Sequence, residues 1–276
     1  MLLNTAYGKS KVRLVQVHRE GGRHDLCDFT VAIRFEGDYD ASYTAGDNSG
    51  VLPTDTMKNT VYALAAAAPI QSPETFALAL AAHFLDRNTK LRRVRVEISA
   101  QFWDRLAAAE RDAQAFIRRG PEVRTARVAA DREHIEVDAG ISDMLILKSS
   151  RSAFTGFMKD ELTTLPETTD RILATSLTAS WRYFGGPVKF NDAWSEVREA
   201  LLYAFARHDS ASVQHTLHAM GEAVLQRVAE IERIHLVMPN KHHLPIDLTR
   251  LGLENRNEIF VPTDEPHGLI EATIAR

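Results

Sequence analysis

Four segments of this 276-residue sequence combine residue types that could do chemistry. The first, Tyr7-Gly8-Lys9, places a lysine near the start of the chain, where a lysine is usually only a solvated charge. The second, Pro53–Thr60, puts Thr54 and Asp55 at the start of a predicted helix. That start could offer a hydroxyl and free N–H groups to an anion, or Thr54 or Asp55 could simply cap the helix. On these residues alone, capping is the favoured interpretation.

The third segment, Ser150–Arg171, mixes aromatic with charged side chains. Arg171 could donate paired hydrogen bonds to a planar anion, and Phe154 could stack on such a molecule. A structural alternative pairs Arg171 with Asp170 or Glu167 and places Phe154 in the core. Before further evidence, that alternative is favoured.

The fourth segment, Met238–His243, ends in two adjacent histidines. Neighbouring residues of a strand point to opposite sides, so His242 and His243 make a poor joint pair of metal ligands. Asp247 lies close in sequence, but no compact set of His, Asp and Glu accompanies it. We therefore predict no metal site, and a single histidine acting as a proton shuttle is the better functional interpretation.

The composition excludes several classes of protein. The 33 basic and 37 acidic residues give a net charge of -4, which supplies no basic field for a nucleic-acid backbone. Cys27 is the only cysteine, so an intramolecular disulfide framework and a multi-cysteine metal site are both excluded. Apolar and charged fractions of 45% and 25% are those of an ordinary globular protein.

Neither membrane insertion nor export is expected. The longest apolar stretch, Val61–Ile70, is interrupted by Pro69 and falls short of the roughly 20 residues that span a bilayer. The residues after Met1 lack the charged and apolar regions of a signal peptide. The final Thr-Ile-Ala-Arg is not a peroxisomal signal, so we expect a cytoplasmic protein.

The elements that must position these segments follow two periodicities. Apolar and polar residues alternate in the strands, as from Phe29 to Phe35, and apolar residues recur at helical spacing in the helices. Ser72-Pro73-Glu74 predicts a helix start with a hydroxyl cap. The predicted strands are Val12–Val17, Phe29–Phe35, Leu91–Phe102, Val123–Val137, the neighbourhood of Leu145 and Leu147, Ala174–Tyr183, Ile234–Met238, Ile259–Pro262 and Leu269–Ile274. The predicted helices are Thr54–Ala68, Ser72–Asp86, Ala193–Arg207 and Ser212–Glu230.

Each half of the chain therefore follows the order β-β-α-α-β-β, with a boundary between Ala139 and Gly140. We predict two tandem units, residues 1–139 and 140–276, in an α+β fold whose antiparallel sheet carries its helices on one face. Such a sheet leaves edges and a broad face to cover, so oligomerisation is expected.

Taken together, the four segments resemble the urate oxidase (uricase) family. The matching strings occur in the family's order and cover both halves of the chain. They are Tyr7-Gly8-Lys9 with Val12-Arg13; Asp47-Asn48-Ser49 with Thr54-Asp55-Thr56-Met57-Lys58-Asn59-Thr60; Leu147-Lys148-Ser149-Ser150 through Phe154-x-Gly156-Phe157; Thr163-Thr164-Leu165-x-Glu167 with Asp170-Arg171-Ile172-Leu173; Ser210-Ala211-Ser212-Val213-Gln214; Pro239-Asn240-Lys241-His242; and Gly268-Leu269-Ile270.

The resemblance implies a fold, an assembly and a reaction. The fold is the tunnelling fold, with two β-β-α-α-β-β units per subunit and four identical subunits around a tunnel. The reaction, a step of purine degradation, oxidises urate with molecular oxygen to 5-hydroxyisourate and hydrogen peroxide. It uses no cofactor, and oxygen is a co-substrate.

The resemblance also implies roles for ten residues. Lys9, Thr54 and His242 would form a proton relay, with Lys9 and Thr54 coming from a neighbouring subunit. The expected substrate contacts are a backbone contact near Asp55, stacking of urate on Phe154, and hydrogen bonds from Arg171 and the Gln214 side chain to opposite edges of urate. The Val213 backbone would add a hydrogen bond. Leu165 would form part of the pocket wall, and Asn240 would hold oxygen or water.

Two other functions stay open at this point. One is a relative of the same fold that acts on a pterin or another purine. Zinc-dependent members of that group use cysteine and histidine ligands, against which the lone Cys27 argues. The other is a purine- or pterin-binding protein without oxidase activity, which would be expected to lose Lys9, Thr54 or His242.

Overall fold

The structure is a computed structural model that describes residues 2–20, 23–106 and 114–276. Its strands are β1 Tyr7–Glu20, β2 Arg23–Gly37, β3 Leu91–Arg105, β4 Phe116–Ala130, β5 Ile135–Lys148, β6 Leu173–Tyr183, β7 Ile231–Pro245 and β8 Phe260–Ala275. Its helices are α1 Asp40–Thr44, α2 Thr54–Ala67, α3 Pro73–Arg87, α4 Phe190–Arg207 and α5 Val213–Arg227, with a short 3-10 turn at Thr249–Leu251.

The strands follow one another in the sheet in chain order, from β1 to β8. Pairing is antiparallel, as in β2 against β3, where Val31 faces Ile98. The alternation predicted for β2 is present, since Phe29, Val31, Ile33 and Phe35 are all buried. Strands with one apolar face must bury it against helices, and the predicted α+β class with an antiparallel sheet is confirmed.

The chain forms two compact units. The first consists of Met1–Ile141 with Arg182–Asp192, and the second of Ser142–Trp181 with Ala193–Arg276. The core of the first unit joins the inner faces of β1 to β4 to α2 and α3. The boundary predicted between residues 139 and 140 stays a prediction. None of the described helices is long and apolar enough to cross a membrane.

Helix α3 begins as its sequence predicts. The Ser72 hydroxyl accepts a hydrogen bond from the Thr75 N–H, at 3.1 Å between Oγ and N. The Thr75 hydroxyl in turn accepts from the Ser72 N–H, also at 3.1 Å. Pro73 follows at the first helical position. Two N–H groups that a helix start leaves without partners are satisfied in this way.

The segment predicted as one strand, Val123–Val137, is in fact two. Strand β4 ends at Ala130, and the Asp131 carboxylate accepts hydrogen bonds from the N–H groups of Glu133 and His134, both at 2.8 Å. A side chain that bonds its own backbone in this way stabilises a turn, which the strand-like residue types concealed.

Two further differences concern continuity. The separate strands predicted at Ile259–Pro262 and Leu269–Ile274 merge into one strand, β8, which begins at Phe260. Its register against β7 shifts between Asn240 and His242. Helix α1 was not predicted. It buries none of its residues, so it carries no apolar periodicity from which it could have been recognised.

Candidate active site

The start of β1 holds Lys9 beside the segment that leads into α2. Lys9 pairs with Ile33 of β2, and the register of the two strands shifts directly after it. The backbones are so close here that a Cβ on Gly8 would lie 1.9 Å from the Ile33 carbonyl oxygen, so only glycine fits. The Leu52 N–H donates to the Tyr7 hydroxyl at 3.0 Å. Tyr7 therefore connects the strand of Lys9 to the residues just before Thr54.

The first turn of α2 is not capped by a side chain. Pro53 occupies the cap position, and Thr54 is the first helical residue, so the favoured interpretation of Thr54 or Asp55 as a cap is wrong. The Asp55 carboxylate instead accepts hydrogen bonds from Lys58 and Asn59. The hydrogen bond from Lys58 lowers the pKa of Asp55, and the charges of Lys58 and Lys9 act in the same direction. Among the described residues, no side chain caps this turn, so its first N–H groups and the half-buried Thr54 hydroxyl are available to a ligand.

In the second unit, Phe154 and Arg171 lie together in the irregular segment between β5 and β6. The Arg171 guanidinium carbon lies 5.2 Å from the centre of the Phe154 ring. Phe157 stacks on Phe154, with ring centres 4.8 Å apart and an interplanar angle of 15°. Phe154 is half-buried rather than part of the core, so the core alternative for it is wrong.

Arg171 has no ion pair among the residues that the structure describes, and the predicted alternative partners are engaged elsewhere. Glu167 pairs with Lys159 at 3.0 Å between Oε1 and Nζ. Asp170 accepts from the Ser152 N–H at 3.2 Å. Arg171 is half-buried, and burial lowers its pKa. Its Nε is buried and has no hydrogen-bond partner in the described part of the chain. A partly desolvated cation of this kind is costly unless an acceptor binds it.

The start of α5 supplies backbone donors. The Ser212 hydroxyl accepts from the His215 N–H at 3.1 Å and so caps the helix. Val213 is buried at the first helical position, and Gln214, the next residue, is exposed. Neither N–H has an acceptor within the helix, because a helix leaves its first donors unpaired. This helix start can therefore bind an electron-rich edge of a ligand.

The second half of β7 carries Asn240 and His242, and the register of β7 against β8 shifts between these two residues. Asn240 is 9% exposed and faces Gly268 of β8. Lys241, between them, is paired with Asp264 at 2.6 Å. His242 is half-buried. Two polar side chains beside a register shift, one of them nearly buried, suit a role in holding and protonating a small molecule.

The ten predicted site residues thus fall into two groups. Lys9, Thr54 and Asp55 belong to the first compact unit, and the other seven, including the half-exposed Leu165, belong to the second. Across residues 2–20, 23–106 and 114–276, no group of three or more His, Cys, Asp and Glu side chains could hold a metal ion.

Two features of these groups were not predicted. Lys58 and Asn59 hold the Asp55 carboxylate, and their helical spacing of three and four residues could have shown it. His215, directly after Gln214, donates its N–H to the helix cap, and its ring contacts that of His208.

Comparisons with known proteins agree on one family. A family model described as Uricase matches residues 5–129 and 137–271. Similar curated proteins include a uricase of Arthrobacter globiformis, 44% identical over 98% of this chain and 88% of its own length, and a uricase of Aspergillus flavus, 37% identical over 98% and 95%.

Solved structures give the same result. The crystal structure of the Arthrobacter globiformis uricase superposes with a TM-score of 0.96 at 43% identity, covering 100% of this chain and 95% of that one. The urate oxidase of Bacillus sp. TB-90, at 22% identity, superposes with a TM-score of 0.85 over 99% of each chain and shows likeness of fold.

Proposed function

The chain belongs to the uricase family, as its sequence motifs indicated, and we propose that it oxidises urate with molecular oxygen. Urate, oxygen and one water give 5-hydroxyisourate and hydrogen peroxide, a balance in which urate loses two electrons and oxygen gains them. The proposed reaction draws on no bound metal or organic cofactor.

The observation that carries this proposal is the half-buried Arg171 guanidinium beside the Phe154 ring. A flat anion would stack on the ring and accept hydrogen bonds from the guanidinium, which satisfies the cation and uses the aromatic face at once. Urate has this shape and this charge.

The other residues of the second unit complete the substrate contacts. The Gln214 side-chain amide and the Val213 N–H, both at the start of α5, would bind the edge of urate opposite Arg171. Leu165 would form part of the pocket wall. Asn240, nearly buried in the second half of β7, would hold oxygen or water above the plane of the ring.

The chemistry requires an electron-rich substrate, because triplet oxygen reacts slowly with closed-shell molecules unless an electron is transferred. Arg171 and the donors of α5 would stabilise the urate anion in a pocket poor in water. Lys9 and Thr54 would take up the proton that urate loses. His242 would deliver protons to the peroxide and orient the hydrating water.

Support for the relay comes from the first unit. Tyr7 connects the strand of Lys9 to the start of α2, and Asp55 is held by Lys58 and Asn59 instead of capping the helix. The Thr54 hydroxyl and the first N–H groups of α2 are thereby left for a ligand. In the proposed assembly, a homotetramer, these residues complete the pocket of a neighbouring subunit.

The proposal is tested with purified protein that has been treated with a metal chelator. Ultraviolet absorbance follows urate, an electrode follows oxygen, and a coupled assay follows peroxide. We expect urate loss with equal oxygen uptake and peroxide formation, unaffected by the chelator. Stoichiometric urate binding without oxygen uptake would overturn the oxidase, and loss of activity with the chelator would overturn the cofactor-free mechanism.

A further inference from the structure

The segment between α4 and α5 is joined by its backbone to the segment that carries Phe154. The Ser210 N–H donates to the Arg151 carbonyl at 3.0 Å, and the Ala153 N–H donates to the Ser210 carbonyl at 2.7 Å. Arg151 also forms an ion pair with Asp209. The residues that lead into α5 are therefore fixed to the chain directly before Phe154.

The same segment is joined to Arg171 on its other side. The Arg171 N–H donates to the Ser152 carbonyl at 2.8 Å, and Phe154 and Thr168 exchange two backbone hydrogen bonds of 2.8 and 3.1 Å. One hydrogen-bonded unit thus carries Arg171, Phe154 and the entry to α5. A displacement of residues 208–212 would move Gln214 relative to Arg171.

Two histidines hold that entry. The rings of His208, which follows α4, and His215, in the first turn of α5, meet edge to face with centres 4.3 Å apart. The Ala211 N–H donates to His215 Nδ1 at 3.4 Å, so this nitrogen must carry no proton. Among the residues that the structure describes, His208 Nε2 is buried without a hydrogen-bond partner, and a proton on it would have no acceptor there. The arrangement therefore requires both rings to be neutral.

The charges around His208 also oppose its protonation. Lys148 of β5 donates from Nζ to the His208 carbonyl at 2.5 Å, and Arg151 is a second nearby cation, with Asp209 as the opposing carboxylate. Burial, His215, Lys148 and Arg151 lower the pKa of His208, whereas Asp209 raises it. Burial also lowers the pKa of Lys148.

We propose that His208 and His215 are positioning residues for the substrate. While both rings are neutral, they hold the first turn of α5 so that Gln214 and the Val213 N–H bind urate opposite Arg171. The inference rests on the proposed function and assigns to that site a pair of residues that do not touch the substrate themselves.

The direction of the pH effect follows from the lowered pKa of His208. Above the ordinary histidine pKa of about 6.5, His208 binds no proton, whether residues 208–212 are held in place or released. The held arrangement then has its full stability. As the pH falls below that value, His208 takes up a proton more readily in the released segment than in the held one. The held arrangement of residues 208–212 therefore becomes less stable. The KM for urate should therefore rise in acid through the protonation of His208.

The test compares substitutions at His215 with one at His218. His215→Ala removes the acceptor of the Ala211 N–H, and His215→Gln restores an acceptor that does not titrate. The control is His218→Ala, on the same helix, whose side chain is 68% exposed. We expect His215→Ala to raise the urate KM about 3- to 10-fold near pH 8 with kcat nearly unchanged, the effect of one lost hydrogen bond of about 1 kcal/mol.

Rescue and pH dependence separate positioning from general destabilisation. His215→Gln should return the KM near pH 8 to that of the unsubstituted protein. The double variant His208→Phe, His215→Gln should show a smaller rise of KM in acid. The ratio of the variant KM to the unsubstituted KM at each pH removes the effect of the ionisation of urate itself. Melting temperatures report any loss of folding.

Three results would overturn the inference. They are an unchanged urate KM in His215→Ala, an equal increase of the KM in His218→Ala, or a rise of the KM in acid that is as steep in the double variant as in the unsubstituted protein. If the unsubstituted protein turns over urate and any of these occurs, only the inference fails. If the unsubstituted protein does not turn over urate, the proposed function itself fails.

Discussion

Arg171 keeps a half-buried guanidinium without an ion pair in the described part of the chain, while both neighbouring acids are engaged elsewhere. A folded protein gains little from such an arrangement on its own, since desolvating a cation costs free energy that no partner returns. The neighbouring Phe154 ring offsets part of that cost through its electron-rich face. In the proposed complex, the bound urate anion offsets the remainder.

Replacing Arg171 by lysine should weaken urate binding by about 10- to 100-fold, because an ammonium cannot donate the paired, planar hydrogen bonds of a guanidinium. The measurement is the urate KM, supported by equilibrium binding without oxygen. Arg207→Lys is the matched control, since Arg207 also lies over an aromatic ring, that of Tyr203, but is exposed on α4. Equal effects of the two substitutions would contradict the assignment of Arg171.

Lys9→Met and Thr54→Val should each lower kcat by roughly 10²-fold while changing the urate KM much less, since a proton relay acts on the chemical step. Lys11→Met, on the same strand but exposed, serves as the control. Steady-state rates across pH would check the prediction. Near-normal kcat in both site variants would remove the relay from the mechanism.

Among the elements, the two serine-capped helices offer a direct comparison. Ser72 of α3 and Ser212 of α5 each accept a hydrogen bond from the N–H three residues later, both at 3.1 Å. Helix α3 packs in the core of the first unit, whereas the first turn of α5 carries the proposed substrate contacts. The two caps therefore have the same geometry, but only the turn that begins α5 is proposed to contact the substrate.

Ser72→Ala and Ser212→Ala should each cost about 1 kcal/mol of stability, the usual effect of losing a helix cap. Only Ser212→Ala should also raise the urate KM, because the turn that bears Val213 and Gln214 loses its support. Thermal melts and urate titrations of the two variants, run side by side, check this. A KM change of the same size in both would mean that α5 has no particular link to the substrate.

At the scale of the whole molecule, the proposed site draws on two compact units. Lys9 and Thr54 belong to one, and Phe154, Arg171 and Gln214 to the other. The proposed tetramer places the two groups from different subunits at one pocket. Two inactive variants, each defective in a different group, should then complement one another.

Co-expression of Lys9→Met with Arg171→Ala, under two affinity tags, should yield hybrids in which about a quarter of the pockets receive both intact residues on random assembly. Activity should therefore recover to about a quarter of that of the unsubstituted protein. Hybrids of Arg171→Ala with Phe154→Ala are the control and should stay inactive, since both residues are expected from the same subunit. Hybrids of the first kind that show no activity would argue against a shared pocket.

Local patterns in the sequence determined most of the fold. Alternation placed β2, and the Ser72-Pro73-Glu74 start placed α3, because both signals depend on residues close together in the chain. The errors lie where a local signal is silent or misleading. Helix α1 buries nothing, and Asp131 makes a turn inside a stretch with strand-like residue types.

The sequence motifs also identified the family and the candidate residues, but the interpretation favoured from local residues alone was wrong in two of the four segments. Thr54 and Asp55 suit a helix cap, and Arg171 suits an ion pair with its acidic neighbours. Whether such bonds form depends on competing partners, and Lys58, Lys159 and the Ser152 N–H take up the acids instead.

Only the tertiary structure decided the competition for the acids beside Arg171, because the free energy of a side-chain contact depends on the groups that burial and long-range packing place within reach. Within the described residues, it left Arg171 without an ion pair. It also brought His208 and His215 together at the entry to α5, a contact between residues seven apart that no motif marks.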